Sequence, residues 1–539
     1  MHRQWRFLLL IVFLGPLLAA QPQQPYDILI KGGKLLDGAG NPWVYGNLAI
    51  NGDRIVRTGR FEAPANRVID ATGLFVAPGF IDIMDQSGGA LLADGNAQSK
   101  VRQGVTTGIG GEGGTPGPAD QLDRYFARII EQGISMNFGT FVSAAQARAL
   151  VLGAADREPS PEELERMKAV IRAGMERGAV GMTTALIYPP GSYAKTPELI
   201  ELARVTAGYG GIYATHVRDE GAGVLDGLRE AVEIGLKAGL PVEIFHLKVA
   251  HKKSWKKTMP KINELVLSAR LLGVEVNADQ YPYTAGGTGL ESCIPSWAAE
   301  GGPAERNKRL KDPAIRRQIK NEMKRGSPGW WNIVEASGGW KNIVIASMPQ
   351  GGDKSLEGKS IAEIARQMKK PPEDAVMDLV SSFTARISAL YFMMNEEDVR
   401  TAMQYPWVSV GSDAGAGSVE TARGKGHPRA YGAFPRIIAR YVRENKVLTL
   451  ENAIRRMTSL PAAKLHIDGR GVLKEGCYAD IVVFDFEKIE DTATWDNPHQ
   501  YPKGIPYVLV NGRLVIENGD HTGARPGRII YGPGYPAAR

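Results

Sequence analysis

His216 and His246 each close an apolar run, GIYATHV and PVEIFHLKV. Between the runs lies VLDGLREAVEIGLKAGL, with apolar residues at helical spacing and Gly239 just before the second run. The pattern reads strand, helix, strand, a βαβ unit. The two histidines stand about 30 residues apart, the length of one such unit. Strands of a parallel sheet point the same way, so both imidazoles come to neighbouring carboxyl ends. In a (β/α)8 barrel that is the face that carries chemistry. Two imidazoles converging there suit one divalent metal ion. Either histidine alone would be read as a ring satisfied by a loop carbonyl; the pair, in this topology, is read as metal-ligating.

The elements that must position the pair can be counted along the chain. Eight candidate strands are LFVAPGFIDIM ending near Met84, Gly104–Gly111, Ser135–Ser143, Ala179–Ile187, the two histidine runs, Val274–Tyr283 and Trp407–Gly415. Eight is the number that closes a TIM barrel. Helical patterns fit between most of them, for example Pro161–Gly178. The stretch from 284 to 405 is the longest between two strands, contains two helix-like segments, and is predicted to be an insertion over the catalytic face. Both ends of the chain have another texture, short apolar runs broken by Gly, Asn-Gly and Asp. The expected organisation is α/β: a β-sandwich built from residues 21–77 and 461–539, flanking a barrel over residues 78–460.

The chain has 539 residues, 43% hydrophobic and 23% charged, enough for a large core and more than one domain. The formal charge is +7, with Lys and Arg spread out and no basic stripe interleaved with aromatics, which excludes a nucleic-acid footprint. The N-terminus carries Arg3 and Arg6, an apolar run Phe7–Leu18 too short to span a bilayer comfortably, and Ala19-Ala20. This is the pattern of a secretory signal peptide over residues 1–20, so a periplasmic or secreted protein without a stable membrane anchor is expected. Two cysteines, Cys293 and Cys477, make no disulfide framework. Oligomer formation is left open.

Several segments together resemble the amidohydrolase superfamily. They are APGFID (Ala77–Asp82), QGVTT (Gln103–Thr107), ATHVRDEG (Ala214–Gly221), DQYPYTAG (Asp279–Gly286), GSDAG (Gly411–Gly415), HPRAYGAFPR (His427–Arg436), YADIVVFD (Tyr478–Asp485) and TGARPGR (Thr522–Arg528). Their order is similar to that of the N-acyl-D-amino-acid deacylases, or D-aminoacylases, from about residue 26 to the C-terminus. The resemblance implies a metal-dependent TIM barrel with a flanking β-sandwich that hydrolyses an amide C–N bond, usually with zinc.

Two departures from that pattern bear on the metal. Where the resemblance implies His-x-His after the first strand, this chain has Met84-Asp85-Gln86. Met and Gln are poor ligands for such ions, so a second metal held from that strand is not expected. Where the resemblance implies a ligand cysteine after the second strand, the turn reads Gly111-Glu112-Gly113-Gly114. Two roles are open to Glu112, a third ligand or a loop carboxylate near the metal. Glu plus two His is a known catalytic zinc set, and the prediction takes it: Glu112, His216 and His246 hold one divalent ion, zinc as the resemblance implies.

Asp413, in VSVGSDAG, matches the aspartate that the resemblance makes the proton shuttle between the attacking water and the leaving nitrogen. A carboxylate beside a metal-activated water suits that task. An acylated amino acid also carries a free carboxylate, which Lys or Arg would bind. Lys248, two residues after His246, Arg429 in the HPRAYG loop, and Tyr281 and Tyr283 are candidates, and the resemblance favours Lys248 and Tyr283. Tyr188 is the candidate for the acyl pocket. Arg218 is read instead as an ordinary salt-bridged residue. The predicted activity is hydrolysis of N-acyl-D-amino acids or related small amides. Dipeptidase or cyclic-amidase activity on the same barrel is the alternative within the enzyme class, and a catalytically degenerate ligand-binding barrel the alternative outside it.

Overall fold

The computed structural model describes residues 24–327 and 329–536. The predicted signal peptide, residues 1–20, lies outside them. Eight parallel strands form the central barrel: β1 (Phe80–Asp82), β2 (Val105–Gly110), β3 (Asn137–Thr140, continued by Val142–Ser143), β4 (Gly181–Ala185), β5 (Ile212–His216), β6 (Val242–Ile244), β7 (Val276–Gln280) and β8 (Val408–Val410). Each pairs in parallel with the next. A parallel bridge between Asp85 and Ala414 joins the first strand to the last. Every residue of these strands is buried, as expected for a parallel sheet covered on both faces.

The barrel interior is filled by Ile83, Met84, Ile109, Phe141, Val180, Ile212, Ala214 and Phe245. Ile530 joins them from the C-terminal tail, where its N–H donates to the Phe138 carbonyl at 2.9 Å. The tail therefore seats one side of the barrel as well as ending the chain.

Helix α1 (Pro161–Glu176) begins in a capping box, with the Ser160 side chain and Glu163 satisfying each other's backbone N–H, and Pro161 in the first turn. Helix α2 (Val224–Ala238), between the two histidine strands, ends at Gly239 in the left-handed conformation, φ 75°. This is the βαβ unit expected from the sequence.

The two chain ends meet in one nine-stranded sheet. Phe75–Pro78 pairs antiparallel with Ile481–Phe484, Val76 opposite Val483. Ile28, Ile30, Leu48, Ile50, Ile69, Ile481, Val483 and Leu509 close its own core. The architecture is the expected barrel with a β-sandwich.

Between β7 and β8 the insertion contains the helices Pro313–Arg325, Ile361–Gln367 and Pro372–Ser381, the last two separated at Pro371-Pro372. It also contains a three-stranded antiparallel sheet, Gly286–Gly289, Ser388–Tyr391 and Ile343–Ser347, which the sequence reading left out. Helix Glu396–Gln404, counted with the insertion in the sequence, packs on the barrel: Gln280 of β7 donates to the Val399 carbonyl at 3.1 Å. Among the described residues, no helix is long and apolar enough to cross a membrane.

Candidate metal centre

The carboxyl ends of β2, β5 and β6 bring three donors together. Gly111 turns the chain out of β2 at φ 108°, and a side chain there would run into the Phe141 backbone. Thr183 Oγ1 donates to the Gly111 carbonyl at 2.7 Å and fixes the turn. Glu112 then points over the barrel mouth. Its Oε1 lies 2.9 Å from His216 Nδ1 and 3.0 Å from His246 Nε2. One ligand atom from each of the three residues lies within 4.8 Å of the others.

His216 ends β5 itself. His246 stands two residues beyond β6, with φ at 38°, a left-handed conformation rare for a non-glycine residue. Its N–H donates to Asp279 Oδ1 of β7 at 2.9 Å. The surrounding structure holds this conformation, as backbone strain is often held at functional sites.

A second carboxylate stands on the other side of the imidazoles. Glu220 Oε2 is 3.4 Å from His216 Nε2, and Glu220 Oε1 is 3.1 Å from His246 Nδ1. Lys248 pairs with the same carboxylate, its Nζ also 2.7 Å from His246 Nδ1. Lys248 therefore joins the Glu220 side of the pair, and both residues line the same cavity as Glu112.

The electrostatics fit a bound cation. Burial and the charge of Lys248 act to lower the pKa of His246, but Glu220 and Glu112 outweigh both and raise it to about 10. Burial works to raise Glu112, yet the two imidazoles hold it well below the usual carboxylate range. This is a cluster that demands positive charge, which a proton or a metal can supply. The donor set of one carboxylate and two imidazoles suits zinc.

Met84 is packed in the barrel core, 1% exposed, and offers nothing to the cavity. Gln86 does reach it. Asp413, three residues beyond β8, also has a left-handed backbone, φ 48°. Its Oδ2 forms an ion pair with Arg429 Nη1 at 2.7 Å. The Arg429 guanidinium lies 4.5 Å from the centre of the Tyr281 ring, and Lys248 Nζ lies 5.6 Å from it. Tyr188 stands edge-on to His216, ring centres 5.4 Å apart, and its hydroxyl is 2.8 Å from Thr288 Oγ1.

All these groups line one cavity of about 700 Å³, a volume suited to a small ligand. Its roof comes from the insertion: Gly286–Thr288, Trp331, Ile333, Arg386, Ser388 and Met393. Tyr283 is a correction to the sequence reading. The strand ends at Gln280, and the Tyr283 N–H folds back onto the Tyr281 carbonyl at 3.0 Å. The strand, read from the sequence as running to Tyr283, stops short of both tyrosines. The Tyr283 ring packs instead against His427 and Trp495 beneath Arg436, outside the cavity lining.

Arg218 is salt-bridged, as read from sequence, but to Glu230 at 2.8 Å and not to its neighbours Asp219 and Glu220. Glu220 is thus freed for the histidines. Glu220, Arg386 and Thr288 were not singled out from sequence.

Residues 358–516 match the family model described as Amidohydrolase family. The chain is 32% identical to the D-aminoacylase of Alcaligenes xylosoxydans xylosoxydans, over 94% of this chain and 98% of that protein. It is similar to a solved D-aminoacylase described as having a binuclear metal centre with one-metal activation and second-metal attenuation; TM-score 0.79, 30% identity, 94% of this chain and 99% of that one. It is equally similar to the N-acyl-D-glutamate deacylase of Bordetella bronchiseptica, solved with zinc and a phosphonate inhibitor that mimics the tetrahedral intermediate; TM-score 0.78, 31% identity, 94% of this chain and all of that one.

Proposed function

The chain belongs to the amidohydrolase superfamily, in its D-aminoacylase branch, and from that footing we propose that it hydrolyses the amide bond of N-acyl-D-amino acids at a single divalent metal ion. The observation that carries the reading is the placement of Glu112, His216 and His246 around one point, with Asp413 and Arg429 across the same cavity. Those three residues would hold the ion, zinc by analogy with the solved relative. When bound, such an ion supplies Lewis acidity, which acidifies water and polarises an acyl oxygen.

The chain's own residues do the rest. Asp413 accepts the proton of the attacking water and delivers it to the leaving nitrogen, as the C–O bond forms and the C–N bond breaks. The products are a carboxylic acid and a free amino acid. Arg429 and Lys248, both over the Tyr281 ring, bind the substrate's carboxylate. Tyr188, against His216, borders the acyl group.

One ion rather than two is supported by the first strand, where Met84 is buried in the core and Gln86 offers an amide. The relative with a binuclear centre is the useful contrast. Location outside the cytoplasm is part of the proposal and rests on Arg3, Arg6 and the apolar run Phe7–Leu18. Mass spectrometry of the exported protein would check it, with a mature N-terminus near Gln21 as the expected result.

The test of function is release of free amino acid from a panel of N-acetyl-D- and N-acetyl-L-amino acids, with metal content measured on the same preparation. Turnover of D-substrates with one ion per chain is expected, with Glu112→Ala and His246→Ala losing both the ion and the turnover. Asp413→Asn is expected to keep the ion and lose about 10²–10⁴-fold in kcat. Turnover of dipeptides or cyclic imides alone would overturn the substrate assignment, and two ions per chain the metal count.

A further inference from the structure

Gln86 occupies the place where the relatives' pattern leads one to look for a metal-binding imidazole, and its contacts are specific. Its Nε2 donates to Glu112 Oε2 at 2.6 Å and, at the long limit of 3.5 Å, to Asp413 Oδ1. A carboxylate accepts and cannot donate. Flanked by two of them, the side chain can only turn its NH2 towards the pair, and that group has two hydrogens, one for each. The remaining oxygens are committed elsewhere. Glu112 Oε1 faces the two imidazoles, and Asp413 Oδ2 pairs with Arg429.

The backbone holds Gln86 there. Its N–H donates to the Ala414 carbonyl at 3.1 Å, beside the bridge that joins β1 to β8. Glu112, Gln86 and Asp413 thus come from three different strand ends and meet through one amide.

We infer that Gln86 is a positioning residue that takes the role of a second cation. It ties the Glu112 ligand to the Asp413 proton acceptor and presents hydrogens where a second ion would need lone pairs. The inference rests on the proposed Glu112–His216–His246 centre. Two consequences follow from the contacts. Oε1, turned to the imidazoles, is the Glu112 oxygen left to offer an ion, because Gln86 holds Oε2. Asp413 is fixed at both oxygens, so its orientation does not depend on Arg429 alone. The amide is neutral, so the charge of both carboxylates remains available to the bound ion and to the substrate.

The experiment uses the full mature protein loaded with zinc. Zinc per chain is measured by elemental analysis, affinity by chelator competition, folding by thermal melts, and kcat and KM separately on N-acetyl-D-amino acids. Gln86→Leu keeps the size and removes the donor. It is expected to retain one ion, bind it about 10- to 100-fold more weakly, and lose kcat with little change in KM, the scale seen for groups that orient metal ligands. Gln86→Glu is isosteric and turns donor into acceptor. With Glu112 and Asp413 it makes three carboxylates in one place and is expected to take up a second zinc ion. Unchanged zinc affinity and kcat in Gln86→Leu, or one ion per chain in Gln86→Glu at saturating zinc, would overturn the inference. If zinc binds and weakens in Gln86→Leu but no N-acyl-D-amino acid is turned over, the substrate assignment fails and the role of Gln86 stands. If wild type holds no zinc, both fall.

Discussion

Glu220 reaches the two imidazole nitrogens that Glu112 leaves: His216 Nε2 and His246 Nδ1 face Glu220, while His216 Nδ1 and His246 Nε2 face Glu112. The two rings stand edge-on, centres 4.5 Å apart, between the carboxylates. An imidazole that donates N–H on one side presents a lone pair on the other. At 3.4 Å from His216 Nε2 and 3.1 Å from His246 Nδ1, Glu220 is placed to favour protons on the side of the rings away from Glu112, with Lys248 Nζ competing for His246 Nδ1 at 2.7 Å.

Glu220→Gln should weaken zinc binding by about 10- to 100-fold without changing the number of ions, because the ligands remain and only their orientation and basicity change. The variant also leaves Lys248 without its carboxylate partner. Chelator competition reads the effect directly. An affinity equal to wild type would remove Glu220 from the metal centre.

Metal removal should appear in stability as well as activity. An ion that binds only the folded chain stabilises it by about 2.7 kcal/mol at a concentration a hundred times its dissociation constant. Thermal melts with zinc and with a chelator should therefore separate for the wild type and coincide for Glu112→Ala. Coincident wild-type melts would mean that zinc does not bind the folded form.

Glu243, on β6 below the metal centre, gives a pH signature. Burial raises its pKa to about 7, although Lys464 lies 3.0 Å from its Oε1 and acts to lower it. The folded chain keeps this proton up to about pH 7, whereas an unfolded chain releases it near 4.5. In that window the folded state binds more protons, so this group's contribution is fully present below pH 4.5 and is lost as pH rises through 7. Glu243→Gln, which cannot titrate, should flatten the dependence of melting temperature on pH between those limits. An unaltered slope would assign the dependence to other groups.

The barrel was legible because its strands are apolar runs at regular intervals, and the histidine pair because one βα repeat separates its members. What the sequence hid depends on where strands stop. The sequence reading ran the seventh strand on to Tyr283, but β7 ends at Gln280 and the chain folds back on itself. Glu220 was hidden by its neighbour: an acid beside Arg218 reads as that arginine's partner, and the real partner, Glu230, sits on α2. The sheet in the insertion was illegible for another reason. Gly286–Gly289 is GGTG and Ser388–Tyr391 is SALY, short segments with no alternation to read, which pair only because the fold brings them together.

Arg386 bears on a question that the relatives leave open, since they include deacylases named for D-glutamate and D-aspartate as well as a D-aminoacylase. Its guanidinium lies over the Tyr188 ring at 6.0 Å and donates to Thr288 Oγ1, both in the cavity wall. Glu291 faces its Nε only at 3.8 Å, and the side chain is 54% exposed, so donors remain for a ligand. In the proposed function Arg429 and Lys248 serve the carboxylate that every N-acyl amino acid carries, which leaves Arg386 as the proposed partner for a second one. A charge-assisted hydrogen bond contributes about 1.5–3 kcal/mol, and exposure at the cavity mouth brings the expectation to its lower end. Arg386→Ala should then lower kcat/KM for N-acetyl-D-glutamate by about tenfold and leave N-acetyl-D-leucine within about twofold. Loss on both substrates alike would place Arg386 on the carboxylate they share, and no loss on either would leave it as part of the roof. Arg386→Lys, which keeps the charge and not the planar fork, should recover part of the glutamate activity if an acidic side chain is what the residue meets.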